Sequence, residues 1–325
     1  MKIFVLWERR NPPVPSPLMV EAVRRLVRHG HQVELARCDQ LAVSVDRLVP
    51  GHDLYVLKSH TQFALSLAAG LHAQGARWLN PYPACARTAD KARTARLLAA
   101  GGIPVPRTWA VGDLSAVRAL VAEGLLDQGP AILKPARGLH GAGIALVRHA
   151  RDLDDAPALT EPAVVQEYVP GRGIDLKVYV AGDQVFATRK RFAPDSYAQP
   201  GHPTRIDEYT RVLALRVGAV TGLGLYGLDL IESSHGPVVV DVNYFPGYRG
   251  HLGAGEAVGE YIDDIAGGRR VLADPAPTAV PEPVRLTGVE GSDWLTDAEH
   301  RAAMFATDQQ DPAAGAWAVA EHSQR

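Results

Sequence analysis

Two carboxylates and an amide are spaced for chemistry within residues 226–248. Alternate residues of a β-strand share a face, so Asp241 and Asn243 should point the same way, and a turn at 233–236 should bring Asp229 beside Asp241. Oxygen ligands fixed on strands suit Mg²⁺ that is bound jointly with phosphates. The same spacing suits two aspartates that accept hydrogen bonds from the turn or from a lysine. Spacing alone leaves both interpretations open.

A lysine and a glycine-rich loop follow the apolar run AILKPA. Lys134 ends a predicted strand, and Gly138, Gly141 and Gly143 lie in the loop after it. Glycines let backbone N–H groups approach phosphate oxygens, and a lysine beside them neutralises charge. The spacing is not that of a Walker A loop, and an ordinary hairpin would also carry such glycines. His140 in this loop could contact a transferring phosphate or face solvent.

The strand predicted at 164–169 ends at a proline-glycine break. A backbone edge just before such a break can pair with an adenine, and Gln166 and Glu167 lie there, with Glu167 near the position of the adenine amino group. A plain edge strand is the alternative interpretation.

Charged residues alternate along the strands predicted at 174–181 and 184–191. Asp175 and Lys177 share one strand face, and we expect Arg189 and Arg191 to share a face of the partner strand. Like charges this close repel unless an anion lies between them. The pattern therefore indicates a phosphate clamp or, as the usual alternative, a solvated surface.

The elements that position these residues fall into two regions. In residues 1–86, short apolar runs alternate with helix-length segments, which predicts a small parallel sheet with helices on its faces. This region lacks GxGxxG, so it is not interpreted as a nicotinamide-binding domain. Its predicted strands are 2–7, 32–36, 53–57 and 76–79, and its first helix is 18–29.

The second region mixes helices with strands that are joined by short turns. Its predicted helices are 89–100, a stretch near 150–158, and 206–221. Its predicted strands are 131–136, 144–149, 164–169, 174–181, 184–191, 226–232 and 237–243. From about 273 onward the chain is rich in Pro, Ala, Asp and Gln with weak periodicity, which predicts a partly disordered tail.

Bulk properties favour an enzyme of two or three lobes. The chain has 325 residues and a net charge of −2, so no global basic field indicates nucleic acid or an anionic membrane as a partner. Cys38 and Cys85 lack metal-ligand spacing, which suggests reduced thiols in a cytoplasmic protein. The apolar run at 2–7 is too short for a signal sequence or a membrane span.

The order of these motifs resembles that of ATP-grasp proteins. NPYPACARTADKARTARLLAAGGIPVPRT is similar to their entry segment, AILKPARGLHGAG to their lid loop, VVQEYVPGRGIDLKVYV to their adenine hinge, and YGLDLIESSHGPVVVDVNYFPGY to their metal-binding end. The resemblance covers roughly residues 1–255. It implies an ATP-grasp fold, of mixed α+β and α/β class, behind an N-terminal Rossmann-like pre-ATP-grasp domain.

The resemblance also implies domain boundaries. The pre-ATP-grasp domain would span 1–86 and the ATP-grasp domain 87–272, followed by the tail at 273–325. Within the ATP-grasp domain, the lid would lie at about 105–168 and the metal-binding lobe at about 172–272.

Roles for single residues follow from the same resemblance, with ATP and two Mg²⁺ ions, or Mn²⁺, as cofactors. The phosphates would contact Lys91, Lys134, Gly141 and Gly143. The adenine hinge would contain Gln166, Glu167 and Val169, and the ribose side Asp175 and Lys177. Catalysis would involve Lys134 and Arg191, with Arg191 facing the γ-phosphate or an acyl-phosphate. The metal ligands would be Asp229, Asp241 and Asn243.

Two branches of the superfamily compete for the reaction. The entry segment resembles RimK-like ligases, which join a carboxylate to an amine through an acyl-phosphate. Those ligases usually carry Glu where this chain has Asp241, and their Arg-Asn-Gly segment is absent from 191–205. DVNYFPGYRG instead resembles inositol-polyphosphate 5/6-kinases, which phosphorylate a hydroxyl. We prefer the ligase and keep the kinase as the alternative.

A non-catalytic nucleotide-binding scaffold is a third interpretation, which the intact set of lysines and metal-type ligands disfavours. The acceptor, a small molecule or a peptide, would be recognised by loops around 8–17, 59–63 and 192–205. A homo-oligomer stays open.

Overall fold

A computed structural model describes residues 1–9, 14–138, 143–156, 159, 161–171, 173–191 and 201–271. The N-terminal sheet is parallel, with strand order β2-β1-β3-β4. Its strands are β1 (Lys2–Trp7), β2 (Gln32–Arg37), β3 (Leu54–Lys58) and β4 (Trp78–Leu79). Helices α1 (Pro17–Arg28) and α2 (Gln62–His72) begin after the side-chain caps Ser16 and Thr61. The predicted parallel sheet of this region is confirmed.

A pair of helices links this sheet to the rest of the chain. They are α3 (Tyr82–Thr88) and α4 (Lys91–Ala100). The sequence analysis did not predict α3, and it placed Asp90 inside α4. Asp90 is instead the N-cap, because its Oδ1 accepts hydrogen bonds from the N–H groups of Ala92 and Arg93. The cap aligns Lys91 as the first residue of α4.

The second sheet is antiparallel, with order β5-β8-β6-β7. Its strands are β5 (Thr108–Val111), β6 (Ala131–Pro135), β7 (Ala145–Val147) and β8 (Ala163–Glu167). Helix α5 (Leu114–Ala122) and a 3-10 turn at Ala150–Leu153 cover one face of it. The sequence analysis predicted neither β5 nor α5.

The third sheet is a five-stranded antiparallel sheet in the order β11-β10-β9-β12-β13. Its strands are β9 (Ile174–Ala181), β10 (Gln184–Arg191), β11 (His202–Pro203), β12 (Leu225–Ser233) and β13 (Gly236–Tyr244). Helices α6 (Glu208–Thr221) and α7 (Ala254–Ala266) pack on this region. Both predicted hairpins and the helix at 206–221 are confirmed, whereas β11 and α7 were not predicted.

Buried side chains connect the first and third sheets. One apolar cluster joins Leu6 and Leu57 of the N-terminal sheet with Val178 and Val242 of the third sheet. The cluster around Val165 is confined to the second sheet and its helix. The described part of the chain is thus built from two joined sheets and a lid-like sheet with a core of its own. The domain boundaries at 86/87 and 272/273 stay a prediction, and the tail lies outside the described residues.

The parts of the chain that the structure describes contain no helix long and apolar enough to cross a membrane.

Candidate active site

The three predicted metal ligands lie on the β12–β13 hairpin. Asp229 and Asp241 are direct cross-strand partners, and Asn243 lies opposite Gly227 on the same face. A β-bulge after Asp229 shifts the register so that Val240 is the extra residue. The expected proximity of Asp229 to Asp241 is therefore confirmed.

Lysines surround this carboxylate pair. Lys177 Nζ donates a hydrogen bond to Asp229 Oδ1, and Lys91 Nζ lies 3.6 Å from Asp241 Oδ2. Each aspartate thus contacts a lysine. This agrees with the second interpretation of their spacing, in which the aspartates accept hydrogen bonds from a lysine. Two like charges directly opposite each other on neighbouring strands would otherwise repel.

The same oxygens also fit Mg²⁺. Among the described residues, no group of three or more His, Cys, Asp or Glu side chains could hold a metal ion. A cation at Asp229, Asp241 and Asn243 would therefore complete its shell with phosphate oxygens and water, which is the usual way that Mg²⁺ binds beside nucleotides. The donor chemistry matches that cation better than it matches a softer one.

Lys134 presents a buried cation to this site. Lys134 as a whole residue is only 6% exposed. Its Nζ donates a hydrogen bond to the carbonyl of Val240 at 3.0 Å. An ammonium has three donors, so two remain for a bound anion. Burial lowers the pKa of Lys134, while the nearby Asp241 carboxylate opposes that shift. Such a desolvated ammonium is suited to a phosphate oxygen.

One face of the lid-like second sheet carries Lys134. Lys134 pairs with Val164, and Ile132 pairs with Gln166, so these four side chains share a face. Gln166 is buried, and its amide donates to Thr108 Oγ1 at 3.0 Å.

Glu167 lies on the other face of β8 from Gln166. Its carboxylate forms an ion pair with Arg107 at 3.2 Å, so the structure does not bring this side chain to the face that carries Lys134 and Gln166. Val169 follows β8 and is half-buried.

The register of β9 and β10 corrects one assignment. Arg191 pairs with Ile174 and Lys190 pairs with Asp175, so Lys190 faces the side of Asp175 and Lys177, whereas Arg191 faces the opposite side. The expectation that arginines of β10 and charges of β9 clamp one anion was therefore wrong. The two-residue turn at Gly182-Asp183 already fixed this register, and Lys190 was the residue that the sequence analysis missed.

The pKa values of the charged residues on this shared face are shifted. Burial raises the pKa of Asp175. Burial alone would lower the pKa of Lys177, but the charge and hydrogen bond of Asp229 overcome it and the pKa is raised. Burial lowers the pKa of Lys190. Two half-buried ammonium groups beside carboxylates are an arrangement that an anionic ligand would stabilise.

The glycine-rich loop is only partly described. Gly143 has φ +74°, and a Cβ there would lie 2.9 Å from Pro135 Cγ, so only glycine fits. Lys91 Nζ donates to the carbonyl of Gly138 at 3.0 Å, at the start of the loop. Gly141 and His140 lie outside the described residues.

Two clefts meet at Lys91. The Gln166 cleft is open to solvent and has mostly apolar walls. Its lining residues are Lys91, Thr94, Ala95, Leu98, Val105, Gln166, Val239, Val240 and Asp241. The His60 cleft is also open to solvent and is more polar. Its lining residues are His60, Gln62, Thr88, Ala89, Lys91, Arg137, Gly138, Val242, Asn243 and Tyr244. Asp241 and Asn243, two residues apart on β13, thus belong to successive clefts.

Of the loops at 8–17, 59–63 and 192–205 that the sequence analysis named for the acceptor, the loop around 59–63 lines this second cleft, together with the predicted residues Lys91 and Asn243. His60, Gln62 and Arg137 were not identified individually, because their proximity to β13 depends on how the three sheets pack.

Comparison with known proteins assigns this arrangement to a family. The model of the RimK-like ATP-grasp domain matches residues 88–255. A probable alpha-L-glutamate ligase of Stutzerimonas stutzeri (strain A1501) is 29% identical over 279 residues, which cover 77% of this chain and 89% of that protein.

Solved structures agree in fold. The RimK domain protein ATP-grasp from Sphaerobacter thermophilus superposes with a TM-score of 0.62 at 21% identity, covering 81% of this chain and 99% of that one. The ATP-grasp ligase PsnB, complexed with its minimal precursor, Mg and ADP, gives a TM-score of 0.56 at 20% identity, covering 81% of this chain and 96% of that one. With this fold, and with a family model that matches half of its length, the chain belongs to the RimK-like ATP-grasp ligases.

Proposed function

We propose that this ATP-grasp ligase activates the carboxylate of a small molecule or peptide as an acyl-phosphate and couples it to an amine. One observation carries the proposal: Lys91 is shared by an apolar cleft and a polar cleft that meet at the carboxylates of β13. The apolar Gln166 cleft suits a nucleobase, and the polar His60 cleft suits an acceptor. The reacting phosphate would then lie between them, beside Lys91.

The chain's own residues supply mainly charge and position. Lys91, Lys134, Lys177 and Lys190 would neutralise phosphate oxygens, and the carboxylates of Asp229 and Asp241 with the Asn243 amide would hold Mg²⁺. When bound, Mg²⁺ supplies charge neutralisation at the β- and γ-phosphates. Phosphoryl transfer requires little more than such positioning and electrostatic stabilisation.

The proposed reaction has two steps. A carboxylate oxygen attacks the γ-phosphorus, the bond to the β-phosphate oxygen breaks, and ADP leaves. The amine nitrogen then attacks the acyl carbon, inorganic phosphate leaves, and the nitrogen loses a proton. The products are an amide, ADP and inorganic phosphate.

We further propose that the site holds two Mg²⁺ ions, which Mn²⁺ can replace. L-glutamate is a candidate for one of the two substrates, because relatives carry the name alpha-L-glutamate ligase. Both cysteines are buried and free among the described residues, in keeping with a reducing, cytoplasmic setting. The proposed ligase has neither nucleic acid nor a membrane as a partner.

Interception of the acyl-phosphate tests the reaction. Hydroxylamine should react with this mixed anhydride, so ATP, a carboxylate substrate and hydroxylamine should yield a hydroxamate, ADP and inorganic phosphate without the natural amine. Phosphorus NMR of the products supplies the second measurement. A stable phosphate ester without inorganic phosphate would replace the ligase by the kinase alternative.

A further inference from the structure

The carboxyl ends of β1 and β3 converge at one point of the N-terminal sheet. In the order β2-β1-β3-β4, the chain moves from β1 to one side and then crosses to the other, so the topological switch lies between β1 and β3. Ligands of open parallel sheets bind just outside the strand ends at such a switch. Glu8 follows β1, and Ser59 and His60 follow β3.

These residues tie the N-terminal sheet to β13. The His60 N–H donates to Glu8 Oε2 at 2.8 Å, and His60 Nε2 lies 2.8 Å from the carbonyl oxygen of Tyr244. The imidazole also packs on the Tyr244 ring at a centroid distance of 4.3 Å, and the Tyr244 hydroxyl donates to the carbonyl of Ser59 at 2.9 Å. The loop after β3 is thereby fixed against the residue next to Asn243.

Glu8 holds this loop as an anion. Burial alone would raise the pKa of Glu8, but hydrogen bonds and charge from His60 overcome it and lower the pKa to about 2. The Glu8 carboxylate therefore stays ionised at neutral pH. A wall held by a half-buried, ionised carboxylate, a histidine and a tyrosine is preorganised for a ligand.

The lining of the His60 cleft selects the charge of that ligand. Lys91 and Arg137 line it, and none of the described residues that line it is Asp or Glu. Gln62, the first residue of α2, is exposed, and its amide makes no hydrogen bond within the described ranges. Its amide can donate to one polar group of a ligand and accept from another.

We infer that the 59–62 loop selects the carboxylate substrate, with Gln62 contacting it and the Glu8–His60 pair positioning the loop. The substrate class is a compact polar carboxylic acid, whose carboxylate lies beside Lys91 and Arg137 and whose remaining polar group reaches Gln62. This inference rests on the proposed ligase function.

The test compares Gln62→Glu with the control Gln32→Glu. Gln32 is also exposed, but it begins β2 at the opposite edge of the same sheet, so both variants add one charge to the N-terminal region. ADP release is measured with ATP, hydroxylamine and, in turn, each of the twenty proteinogenic amino acids and a glutamate-terminated dipeptide. The dissociation constant of Mg-ADP is measured for each variant by calorimetry.

We expect Gln62→Glu to raise the KM for the best carboxylate by at least about tenfold, because like charges would face each other in the cleft. The dissociation constant of Mg-ADP should change by less than about twofold, since the Gln166 cleft is untouched. Gln32→Glu should leave both quantities at the wild-type values.

A second pair of variants tests the positioning role. His60→Phe keeps an aromatic ring packed on Tyr244 but removes the hydrogen bond to the Tyr244 carbonyl. His60→Gln restores a hydrogen-bond donor at this position. We expect His60→Phe to raise the KM for the carboxylate more than it lowers kcat, and His60→Gln to recover part of that loss.

Two results would overturn the inference while leaving the ligase intact. One is an unchanged carboxylate KM in Gln62→Glu, and the other is an equal weakening of Mg-ADP binding, which would assign the His60 cleft to the nucleotide. ADP release that no carboxylate stimulates in the wild type would instead refute the proposed function and this inference with it.

Discussion

At the residue scale, the Asp229–Asp241 pair is the feature that most constrains the chemistry. The two carboxylates are cross-strand partners, and Asp241 Oδ1 also accepts a hydrogen bond from the Val242 N–H at 3.0 Å. Because Oδ1 of Asp241 accepts this backbone hydrogen bond, the other oxygen, Oδ2, is the one directed at Lys91.

Asp241→Asn tests this assignment. Loss of a charge that acts on the transferring phosphate should lower kcat by at least about 10²-fold, while the fold persists because the amide is isosteric. The readouts are ADP release and thermal unfolding followed by circular dichroism. Asp154→Asn is the control, since the Asp154 side chain forms an exposed ion pair with Arg118, far along the chain from β13. Near-normal turnover in a folded Asp241→Asn enzyme would remove the metal assignment.

The opposite faces of Lys190 and Arg191 give a second prediction. Lys190→Ala should lower kcat/KM for ATP by about tenfold or more, because the side chain shares a face with Asp175 and Lys177. Arg191→Ala should change the same quantity by less than about threefold, since its side chain lies on the other face. The reverse order of the two effects in steady-state kinetics would mean that the register does not decide which cation meets the phosphates.

At the element scale, some elements were readable from local signals and others were not. Helix α5 has an N-cap, Asp113, whose carboxylate accepts from the N–H groups of Ser115 and Ala116, and a cap followed by apolar periodicity is a signal that was available. Helix α7 offers no such signal. It contains Gly255 and Gly259, which local propensity interprets as breaks.

Tertiary packing explains the two glycines of α7. A Cβ on Gly255 would lie 2.5 Å from Glu21 Cβ, and one on Gly259 would lie 3.0 Å from Ala22 Cα, so both permit α7 to approach α1 closely. Contacts between segments more than two hundred residues apart are invisible to a local pattern. The strands that carry Asp175 and Asp241 were predictable for the opposite reason, since they follow from short turns and period-two alternation. The bulge at Val240, which places Asp241 directly opposite Asp229, has no such local signal.

Asn80 is the link between the first and third sheets at this scale. It is fully buried, its Nδ2 donates to the carbonyl of Leu225 at 2.7 Å, and its Oδ1 accepts from the N–H groups of Gly224 and Leu225 at 2.8 Å each. One side chain thereby satisfies three backbone groups where β12 begins.

Asn80→Ala should lower the free energy of unfolding by roughly 2–4 kcal/mol, because those buried groups lose their partner. Urea unfolding measures the change. In the control Gln74→Ala, an exposed amide that bonds the carbonyls of Leu48 and Gly70 is removed, and water can replace it there. A similar small loss in both variants would contradict the role of Asn80 as a buried link.

At the scale of the whole molecule, the described chain is held together by two apolar clusters that each contain residues of the first and third sheets. Leu6 and Val242 belong to one of them, and Ile3 and Leu225 to the other. The second sheet packs around a cluster of its own, which includes Val117 and Val165. A lid with a separate core can move as a unit without disrupting the packing between the other two sheets.

Charged groups reinforce the packing of α7 on the N-terminal sheet. Asp263 is buried, and its carboxylate lies 2.9 Å from His29, 2.7 Å from His31 and 2.6 Å from Arg269. Burial alone would raise the pKa of Asp263, but hydrogen bonds from His31 and His29 overcome it and the pKa is lowered. The ionised form of Asp263 therefore stabilises the folded chain.

Asp263→Asn should accordingly lower the free energy of unfolding by roughly 2 kcal/mol at neutral pH, since the partners of Asp263 are partly exposed and recover some hydration. A depressed carboxyl pKa contributes stability above its unfolded value of 3.8, and that contribution is lost as the pH falls below 3.8. The difference in Tm between the wild type and Asp263→Asn should thus be full at neutral pH and shrink in acid. Asp264→Asn on the same helix is the control, because the Asp264 side chain is 20% exposed against 7% for Asp263, and the ion pairs of Asp264 are with Arg269 and Arg270 at the end of the helix. Scanning calorimetry across this pH range makes the comparison, and a Tm difference that does not depend on pH would show that Asp263 acts through packing and not through its charge.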